Sequence, residues 1–238
     1  MAEVQTEPVS VRLSGRTFDL GQHVSRGLDV PMALRRLSHR PGLVALDSAS
    51  GAPGRWSLVA FDPMEALPGL DGEGPDDLVQ LRGVLRAMAW DGDLPPGPFS
   101  GGFIGALAYD LGVEGERLEL PAAAWPQPPV AGGIYRDWLV FEHDREGAVC
   151  GAHLVVADQA GSNDDGALRA AAILEDLARQ RPGSAVPSSA EIRRHVSPAE
   201  HQARVERARA LIAEGQIYQA NLCHRITAPV STGPLDLY

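Results

Sequence analysis

The side chains best suited to binding chemistry in this sequence lie near its C-terminal end. Apolar and polar residues alternate with a period of two along Ile217–Ile226, which predicts a strand. Tyr218 falls on the apolar face of this strand, whereas Gln219 and Asn221 fall on the polar face, with Arg225 further along it. Such a polar face suits either a half-exposed sheet strand or a cavity lined with hydrogen-bonding groups, and the half-exposed strand is the simpler interpretation.

No recognised catalytic motif accompanies these side chains. The patterns HExxH, GxSxG, CxxC and the P-loop are absent, and no pair of carboxylates has a spacing that supports acid–base catalysis. His195, His201 and His224 are close in sequence but fall on different elements or faces. His224 lies on the apolar side of the predicted strand, so we expect a hydrogen-bonded core histidine. The sequence therefore assigns no catalytic residue and no metal ligand.

A helix with clear start and stop signals precedes the predicted strand. Ser197 and Glu200 form a capping-box pattern, and Pro198 occupies the first helical position, where its missing N–H costs nothing. Gly215 is typical of the residue just after a helix C-terminus. We therefore expect a helix from Ser197 to about Gly215 that leads directly into the strand.

Composition limits the class of protein. The chain has 238 residues, of which 44% are hydrophobic and 22% charged, as in ordinary globular proteins with a buried core. A formal net charge of −10 argues against a nucleic-acid-binding protein. Cys150 and Cys223 are too few for a disulfide framework, which favours a reducing, cytoplasmic location. The N-terminus does not resemble a signal peptide, and no apolar run is long enough for a membrane span.

The first 190 residues predict strands and helices in mixed order. The patterns predict an antiparallel strand pair across the loop Ser50–Gly54 and a hairpin across Arg145–Gly147. In the run Phe99–Gly112, glycines predict a strand that a neighbour approaches closely, and Tyr109 is expected to be buried. A strand pattern covers Val9–Leu20. Helix patterns begin at Asp29 and cover Pro75–Trp90 and Ala167–Ala178.

The run Glu214–Arg225, with the sequence EGQIYQANLCHR, resembles the segment that opens the chorismate-binding domain of the anthranilate synthase and aminodeoxychorismate synthase family. Gln216 stands where aspartate is usual, and Ala220 stands where valine is usual. The Asn221–Leu222 pair is more similar to the aminodeoxychorismate branch than to the anthranilate branch.

Two further stretches resemble the N-terminal domain of this family. Leu46, Asp47 and Ser48 match a strand motif, and Arg55 and Trp56 match the Gly-Arg-(Tyr/Trp)-Ser motif that follows it. The resemblance implies a tryptophan pocket formed by Leu46, Ser48, Arg55 and Trp56. The competing interpretations are that Ser48 caps the strand end and that Trp56 belongs to the core. The Gly-rich run also matches a family element, with Tyr109 and Asp110 in place.

The resemblance implies an α+β fold in which antiparallel sheets and packed helices form a layered sandwich, as in anthranilate synthase component I. We expect an N-terminal domain at 1–185, a linker at 186–196 and the incomplete start of a chorismate-binding domain at 197–238.

By the same resemblance, the chain is an N-terminal fragment of an aminodeoxychorismate synthase component I-like enzyme, which aminates chorismate and works with a glutamine amidotransferase subunit. The family's Mg²⁺ ligands and catalytic residues are expected to follow Tyr238, so the chain alone is expected to be inactive. Two alternatives remain. One is anthranilate synthase component I, and the other is a non-catalytic module that binds an aromatic amino acid.

Overall fold

The computed structural model describes residues 11–48, 54–64, 76–109, 130–161, 165–179, 191–230 and 233–237. The chain divides into two compact units, Met1–Arg181 and Pro182–Tyr238. The domain limits expected from the sequence, with a linker at 186–196, stay a prediction, and residues 186–190 of that linker lie outside the described part.

Eight described strands belong to the first unit. They are β1 (Val11–Asp19), β2 (Val44–Leu46), β3 (Trp56–Ala60), β4 (Met88–Trp90), β5 (Gly102–Leu107), β6 (Val130–Tyr135), β7 (Asp137–His143) and β8 (Val149–Gln159). Six of them form one sheet in the order β2-β3-β7-β8-β1-β4, while β5 and β6 pair separately. All these pairings are antiparallel except β1 with β4. The expected antiparallel pair and the hairpin are confirmed as β2–β3 and β7–β8.

The described helices of this unit are α1 (Gly21–Val24), α2 (Val30–Leu37), α3 (Asp76–Ala87) and α4 (Gly166–Ala178). Helix α2 starts where the sequence indicates, because the Asp29 carboxylate accepts the Met32 N–H at 2.7 Å and Pro31 lies in the first turn. Asp165 caps α4 in the same way, accepting the Ala167 N–H at 2.8 Å. Both caps satisfy donors that the helix itself leaves unpaired.

The two faces of the large sheet pack against different layers. On one face, Leu58, Trp138 and Val140 form a core cluster with Ile104 of β5 and Tyr135 of β6. On the other face, α2 contacts β3 and α4 contacts β8. This arrangement of helices, six-stranded sheet and smaller sheet is the layered α+β fold expected from the sequence.

The glycines of β5 have the role expected from the sequence. A Cβ atom at Gly105 would lie 2.2 Å from the Ala131 carbonyl oxygen and 2.8 Å from the Cα of Gly132. Both distances are shorter than van der Waals contact, so a side chain at Gly105 would force β5 and β6 apart. The glycine therefore permits the close strand pairing.

Two expected elements of the first unit differ from the structure. The amphipathic pattern predicts a helix up to Trp90, but α3 ends at Ala87 and Met88–Trp90 form β4, which pairs with β1. The run Gly133–Asp144 reads as one strand, but Arg136 separates β6 from β7, and these belong to different sheets. In both cases the conformation depends on sheet pairing with residues distant in the sequence, and the local periodicity of the sequence does not reveal that pairing.

A buried ion pair joins β7 to α4. The Asp137 carboxylate accepts from Arg169 Nε at 2.8 Å and from the Ala157 N–H at 3.2 Å, and only 2% of Asp137 is exposed. Burial raises the pKa of the Asp137 carboxyl above its ordinary value, although Arg169 and the hydrogen bonds act to lower that pKa. The desolvation cost therefore exceeds the compensation from the guanidinium at this site.

This raised pKa predicts a pH dependence of stability. A carboxyl that binds its proton more tightly in the folded chain stabilises the fold at low pH, and this contribution is lost as pH rises from the ordinary pKa through the raised pKa. The free energy of unfolding of Asp137→Asn relative to the unmodified chain should therefore increase across that window and stay level above it. Urea unfolding at a series of pH values measures the difference, with exposed Asp91→Asn as the control. A difference that decreases with pH would contradict the assignment.

The second unit contains β9 (Arg193–Arg194), α5 (Pro198–Ala213), β10 (Ile226–Thr227) and α6 (Pro234–Leu237). Ser197 caps α5 by accepting the Glu200 N–H at 3.2 Å. Gly215 has a φ of 73°, and the N–H groups of Gly215 and Gln216 bond to the carbonyls of Ile212 and Leu211. This is a Schellman ending, so both helix signals of the sequence are confirmed.

The strand expected over Ile217–Ile226 is largely absent. Residues 217–225 have no regular secondary structure, and only Ile226 and Thr227 pair, with Arg194 and Arg193. Residues 193–194 lie within the expected linker. A strand needs a neighbouring strand that hydrogen-bonds to it along its length. Among the described residues of this unit, such a neighbour exists only for Ile226 and Thr227. None of the described residues of this unit is buried.

Candidate functional site

Three of the four residues assigned to a tryptophan pocket come together at the adjoining ends of β2 and β3. The Ser48 hydroxyl donates to the Trp56 carbonyl at 2.7 Å, and the Arg55 guanidinium carbon lies 5.1 Å from the centre of the Trp56 ring. Leu46 pairs with Leu58 in the sheet and is 53% exposed. The strand ends thus present a hydroxyl, a guanidinium and an indole within one short stretch of surface.

Ser48 and Trp56 both make structural contacts at these strand ends. Ser48 uses its hydroxyl to bond the backbone of the neighbouring strand, as a strand-end cap does. Trp56 is partly buried and packs against the core cluster that includes Trp138 and Tyr135. Both residues therefore have a structural role, and the Arg55 guanidinium lies over the ring of the partly buried Trp56.

Arg55 lies at the mouth of a polar surface cavity. Its Nη2 and Nε atoms donate to the Glu142 carboxylate at 2.5 and 3.1 Å, and the pair is solvent-accessible. Because both partners are solvent-accessible, this ion pair contributes little to stability. The cavity has a volume of about 580 Å³ and is lined by Gly54, Arg55, Glu142, His143, Asp144, Arg145 and Cys150.

Next to Ser48 lies a set of three polar side chains, the exposed Asp47 and the more buried Ser57 and His143, which we call the strand-end cluster. The Ser57 Oγ lies 2.6 Å from Asp47 Oδ1 and 2.7 Å from His143 Nε2, and it accepts the Ser48 N–H at 2.9 Å. Ser57 is fully buried and His143 nearly so. Neither Ser57 nor His143 was singled out from the sequence. The available signal was a single serine within the otherwise apolar run Trp56–Phe61.

The residues assigned to the chorismate-domain strand do not form a strand face. Tyr218 is 94% exposed, and Gln219 and Asn221 are exposed as well. The expectation of a buried His224 is wrong, since His224 is exposed and its ring meets that of His201 edge-on at 5.4 Å. With few sheet partners in this unit, the apolar side of the expected strand has no described layer to pack against.

Tyr109 also differs from expectation. Its side chain is 96% exposed, so the expected buried ring is wrong, and Asp110 lies outside the described residues. Tyr109 follows the end of β5, beyond the last residue paired with β6, and this position explains its exposure.

A divalent metal does not fit the side chains described. Nowhere in the described ranges do three or more His, Cys, Asp or Glu side chains come together in a way that could hold a metal ion. The Mg²⁺ that the resemblance implies is therefore assigned no ligand here. Likewise, no helix within the described residues is long and apolar enough to cross a bilayer.

Comparison with known proteins identifies the surrounding fold. Anthranilate synthase component 1 of Streptomyces coelicolor is 30% identical over 207 residues, covering 79% of this chain and 38% of that protein. "Anthranilate synthase component 1 3" of Haloarcula marismortui is 24% identical over 216 residues, covering 81% of this chain and 41% of that protein. The chain thus spans about two fifths of the length of these curated relatives.

The solved structures agree with this result at the level of the fold. The crystal structure of anthranilate synthase component I from Streptococcus pneumoniae TIGR4 superimposes with a TM-score of 0.58 and 23% identity, covering 80% of this chain and 46% of that one. The family model for chorismate binding enzymes matches residues 46–238, which include the strand-end cluster and all of the second unit. This chain therefore belongs to the chorismate binding enzyme family.

Proposed function

We propose that this chain is the N-terminal part of an anthranilate synthase component I-type enzyme, which converts chorismate to anthranilate. The observation that carries the proposal is the 30% identity with the Streptomyces coelicolor protein over 79% of this chain. A second curated relative and the solved structure carry the same name. The aminodeoxychorismate branch is the second candidate, because the Asn221–Leu222 pair is more similar to that branch.

Catalysis would belong to a longer protein of which this chain is a part. The relatives are more than twice as long as the segment matched here, and the described residues form no group of His, Cys, Asp or Glu side chains that could hold a metal ion. We further propose that this protein works with a glutamine amidotransferase subunit that supplies ammonia. A cytoplasmic location suits the free thiols of Cys150 and Cys223, both of which are exposed.

A product analysis tests the enzymatic part of the proposal. The full-length protein that contains this chain would be incubated with chorismate, ammonium and Mg²⁺, and the products separated by chromatography and identified by mass. We expect anthranilate. Formation of aminodeoxychorismate would instead support the second candidate. Unchanged chorismate, with a characterised anthranilate synthase as the positive control, would contradict both.

We assign to Leu46, Ser48, Arg55 and Trp56 the binding of an aromatic amino acid, with tryptophan as the first ligand to test. The Arg55 guanidinium suits the carboxylate of such a ligand, because Arg–carboxylate hydrogen bonds are charge-assisted. The indole of Trp56 and the exposed Leu46 offer apolar surface for the aromatic ring. In this role Arg55 would exchange its contact with Glu142 for the ligand.

Isothermal titration of the chain with L-tryptophan tests this site. Arg55→Gln should weaken binding roughly tenfold or more, since a charge-assisted hydrogen bond contributes about 1.5–3 kcal/mol. Arg26→Gln, at an exposed position after α1, is the matched control and should leave the affinity unchanged. Equal affinity in Arg55→Gln and the unmodified chain would remove Arg55 from the site, and no heat of binding in any variant would contradict the site altogether.

A further inference from the structure

Glu142 lies on the same side of the large sheet as the Trp56 ring. Trp56 of β3 and Glu142 of β7 are directly opposite each other in the antiparallel register, so their side chains project from the same face. The Arg55 guanidinium connects them, because its carbon lies 5.1 Å from the centre of the Trp56 ring and its Nε and Nη2 atoms both donate to Glu142 Oε1. A carboxylate is therefore a direct neighbour of the residues assigned to the amino-acid site.

A ligand carboxylate at Arg55 would change the charge balance around Glu142. Arg55 is the only described residue that hydrogen-bonds to the Glu142 side chain, and 30% of that side chain is exposed. A carboxylate that is partly withdrawn from water needs a counter-charge. If Arg55 turned to a ligand with only a negative charge, two carboxylates would compete for one guanidinium. A ligand that also carries a positive charge would restore the balance.

The second oxygen of Glu142 has room beside it for a small cationic group. Both hydrogen bonds from Arg55 end at Oε1, and Oε2 has no hydrogen-bond partner among the described residues. Gly151 of β8 pairs with Glu142 in the sheet and has no side chain to fill this space. A Cβ atom at Gly151 would lie 3.8 Å from Oε2, which is ordinary van der Waals distance. An ammonium group beside Gly151 can therefore donate to Oε2.

The other charges of the adjoining cavity also suit a ligand without net charge. The cavity lining includes two carboxylates, Glu142 and Asp144, and two guanidiniums, Arg55 and Arg145. The formal charges of these four side chains cancel, so they do not supply the excess positive charge that would favour a phosphate or a simple acid. The Asp144 carboxylate already accepts two backbone N–H groups of the turn after β7. Glu142 is therefore the better partner for a ligand cation.

We propose that Glu142 binds the α-ammonium group of the ligand while Arg55 binds its carboxylate, so that the site selects zwitterionic α-amino acids over acids without an amino group. Each protein charge then exchanges one partner for another of the same sign, and neither is left unpaired. An acid without the amino group leaves Glu142 unpaired. This role of Glu142 as a specificity-determining residue rests on the proposed function of the site.

Isothermal titration with two ligands tests the role of Glu142. L-Tryptophan carries both charges, and indole-3-propionate has the same ring and carboxylate without the amino group. The unmodified chain should bind L-tryptophan roughly tenfold more tightly than indole-3-propionate, as expected for one charge-assisted hydrogen bond. Glu142→Gln should lose roughly this factor for L-tryptophan and none for indole-3-propionate. Glutamine has nearly the same size and still offers Arg55 an acceptor.

Two further substitutions separate the local effect from general damage to the fold. Gly151→Val fills the space beside Oε2 and should weaken binding of L-tryptophan, with little effect on indole-3-propionate. The φ of Gly151 lies outside the left-handed region, so a β-branched residue suits this strand position. Glu175→Gln is the matched control, because Glu175 also pairs with an arginine at an exposed position, and both affinities should stay unchanged.

The measured affinities distinguish failure of the Glu142 assignment from failure of the proposed site. Equal affinity of Glu142→Gln and the unmodified chain for L-tryptophan would overturn the role of Glu142 and leave the amino-acid site in place. A similar loss for both ligands in Glu142→Gln would overturn the selectivity, because the whole site would then be disturbed. Binding of neither ligand to the unmodified chain would contradict the proposed site itself, and the assignment of Glu142 with it.

Discussion

Replacing Asp176 with alanine is expected to lower the free energy of unfolding by about 3 kcal/mol, the low end of the range for breaking a buried ion pair. The Asp176 carboxylate accepts from Arg40 at 2.7 and 3.0 Å and lies 3.1 Å from His39 Nε2, and its side chain is 8% exposed. The contact joins α4 to the residues that follow α2. Arg40 would keep its contact with Asp62, which limits the loss.

Urea unfolding measures this effect as a shift of the midpoint at constant slope. The neighbouring residue offers a matched control, because Glu175 is on the same helix and pairs with Arg179 at an exposed position. Glu175→Ala should change stability by no more than about 0.5 kcal/mol. If the two substitutions had similar effects, the Asp176 network would have no special role in joining α4 to the rest of the unit.

Replacing Trp138 with alanine is expected to cost about 3–5 kcal/mol, the range for removing a large buried aromatic side chain. Trp138 is fully buried in the core cluster between the two sheets. Its ring meets Phe99 edge-on with centroids 5.0 Å apart and Trp90 at 6.2 Å. Alanine would leave a cavity at the centre of this packing and remove both ring contacts.

A phenylalanine at the same position should cost much less than alanine. Trp138 Nε1 is buried and has no hydrogen-bond partner among the described residues, so its removal relieves a desolvation penalty of about 1–3 kcal/mol. Phenylalanine also retains most of the ring. Thermal and urea unfolding of both variants test this order. Leu168→Ala, at an exposed position of α4, is the control, with an expected change within about 0.5 kcal/mol. Equal losses for Trp138→Phe and Trp138→Ala would contradict the account.

Elements with local signals were predictable from the sequence. Asp29 and Ser197 each accept a backbone N–H three residues later, as capping residues do, and Gly215 ends its helix with a positive φ. The β7–β8 turn is also local, because the Asp144 carboxylate accepts the N–H groups of Glu146 and Ala148. These features depend on residues within a few positions of each other, so the sequence pattern carries them directly.

Elements decided by distant partners were not predictable in the same way. Met88–Trp90 continue a helical pattern but pair with β1, whose residues come much earlier in the chain. Ile217–Ile226 alternate like a strand but pair at one end only. A period-two pattern indicates which face would be apolar, and it does not indicate whether a neighbouring strand is present.

In the candidate site, too, some residues could be identified from local sequence motifs, and others depend on contacts between distant strands. Ser48, Arg55 and Trp56 were assigned by resemblance to family motifs, and the structure brings them together at one pair of strand ends. Ser57 lies directly after Trp56, yet its partner His143 comes from β7, far along the chain. A serine in a strand is common, and so is a histidine before a turn, so neither residue alone indicates a site. Their meeting depends on the register of β3 against β7, which the sequence pattern does not contain.

The position of β1 in the sheet has a consequence for the synthesis of this protein. β1 is the first described strand to leave the ribosome, yet its antiparallel partner β8 is the last strand of the unit to be made. Until β8 has emerged, the only described strand that β1 can pair with is the short β4, through Val11, Arg12 and Leu13. The nascent chain therefore carries most of β1 without its described strand partner until β8 is made, and during that time this segment is a target for chaperones and for aggregation.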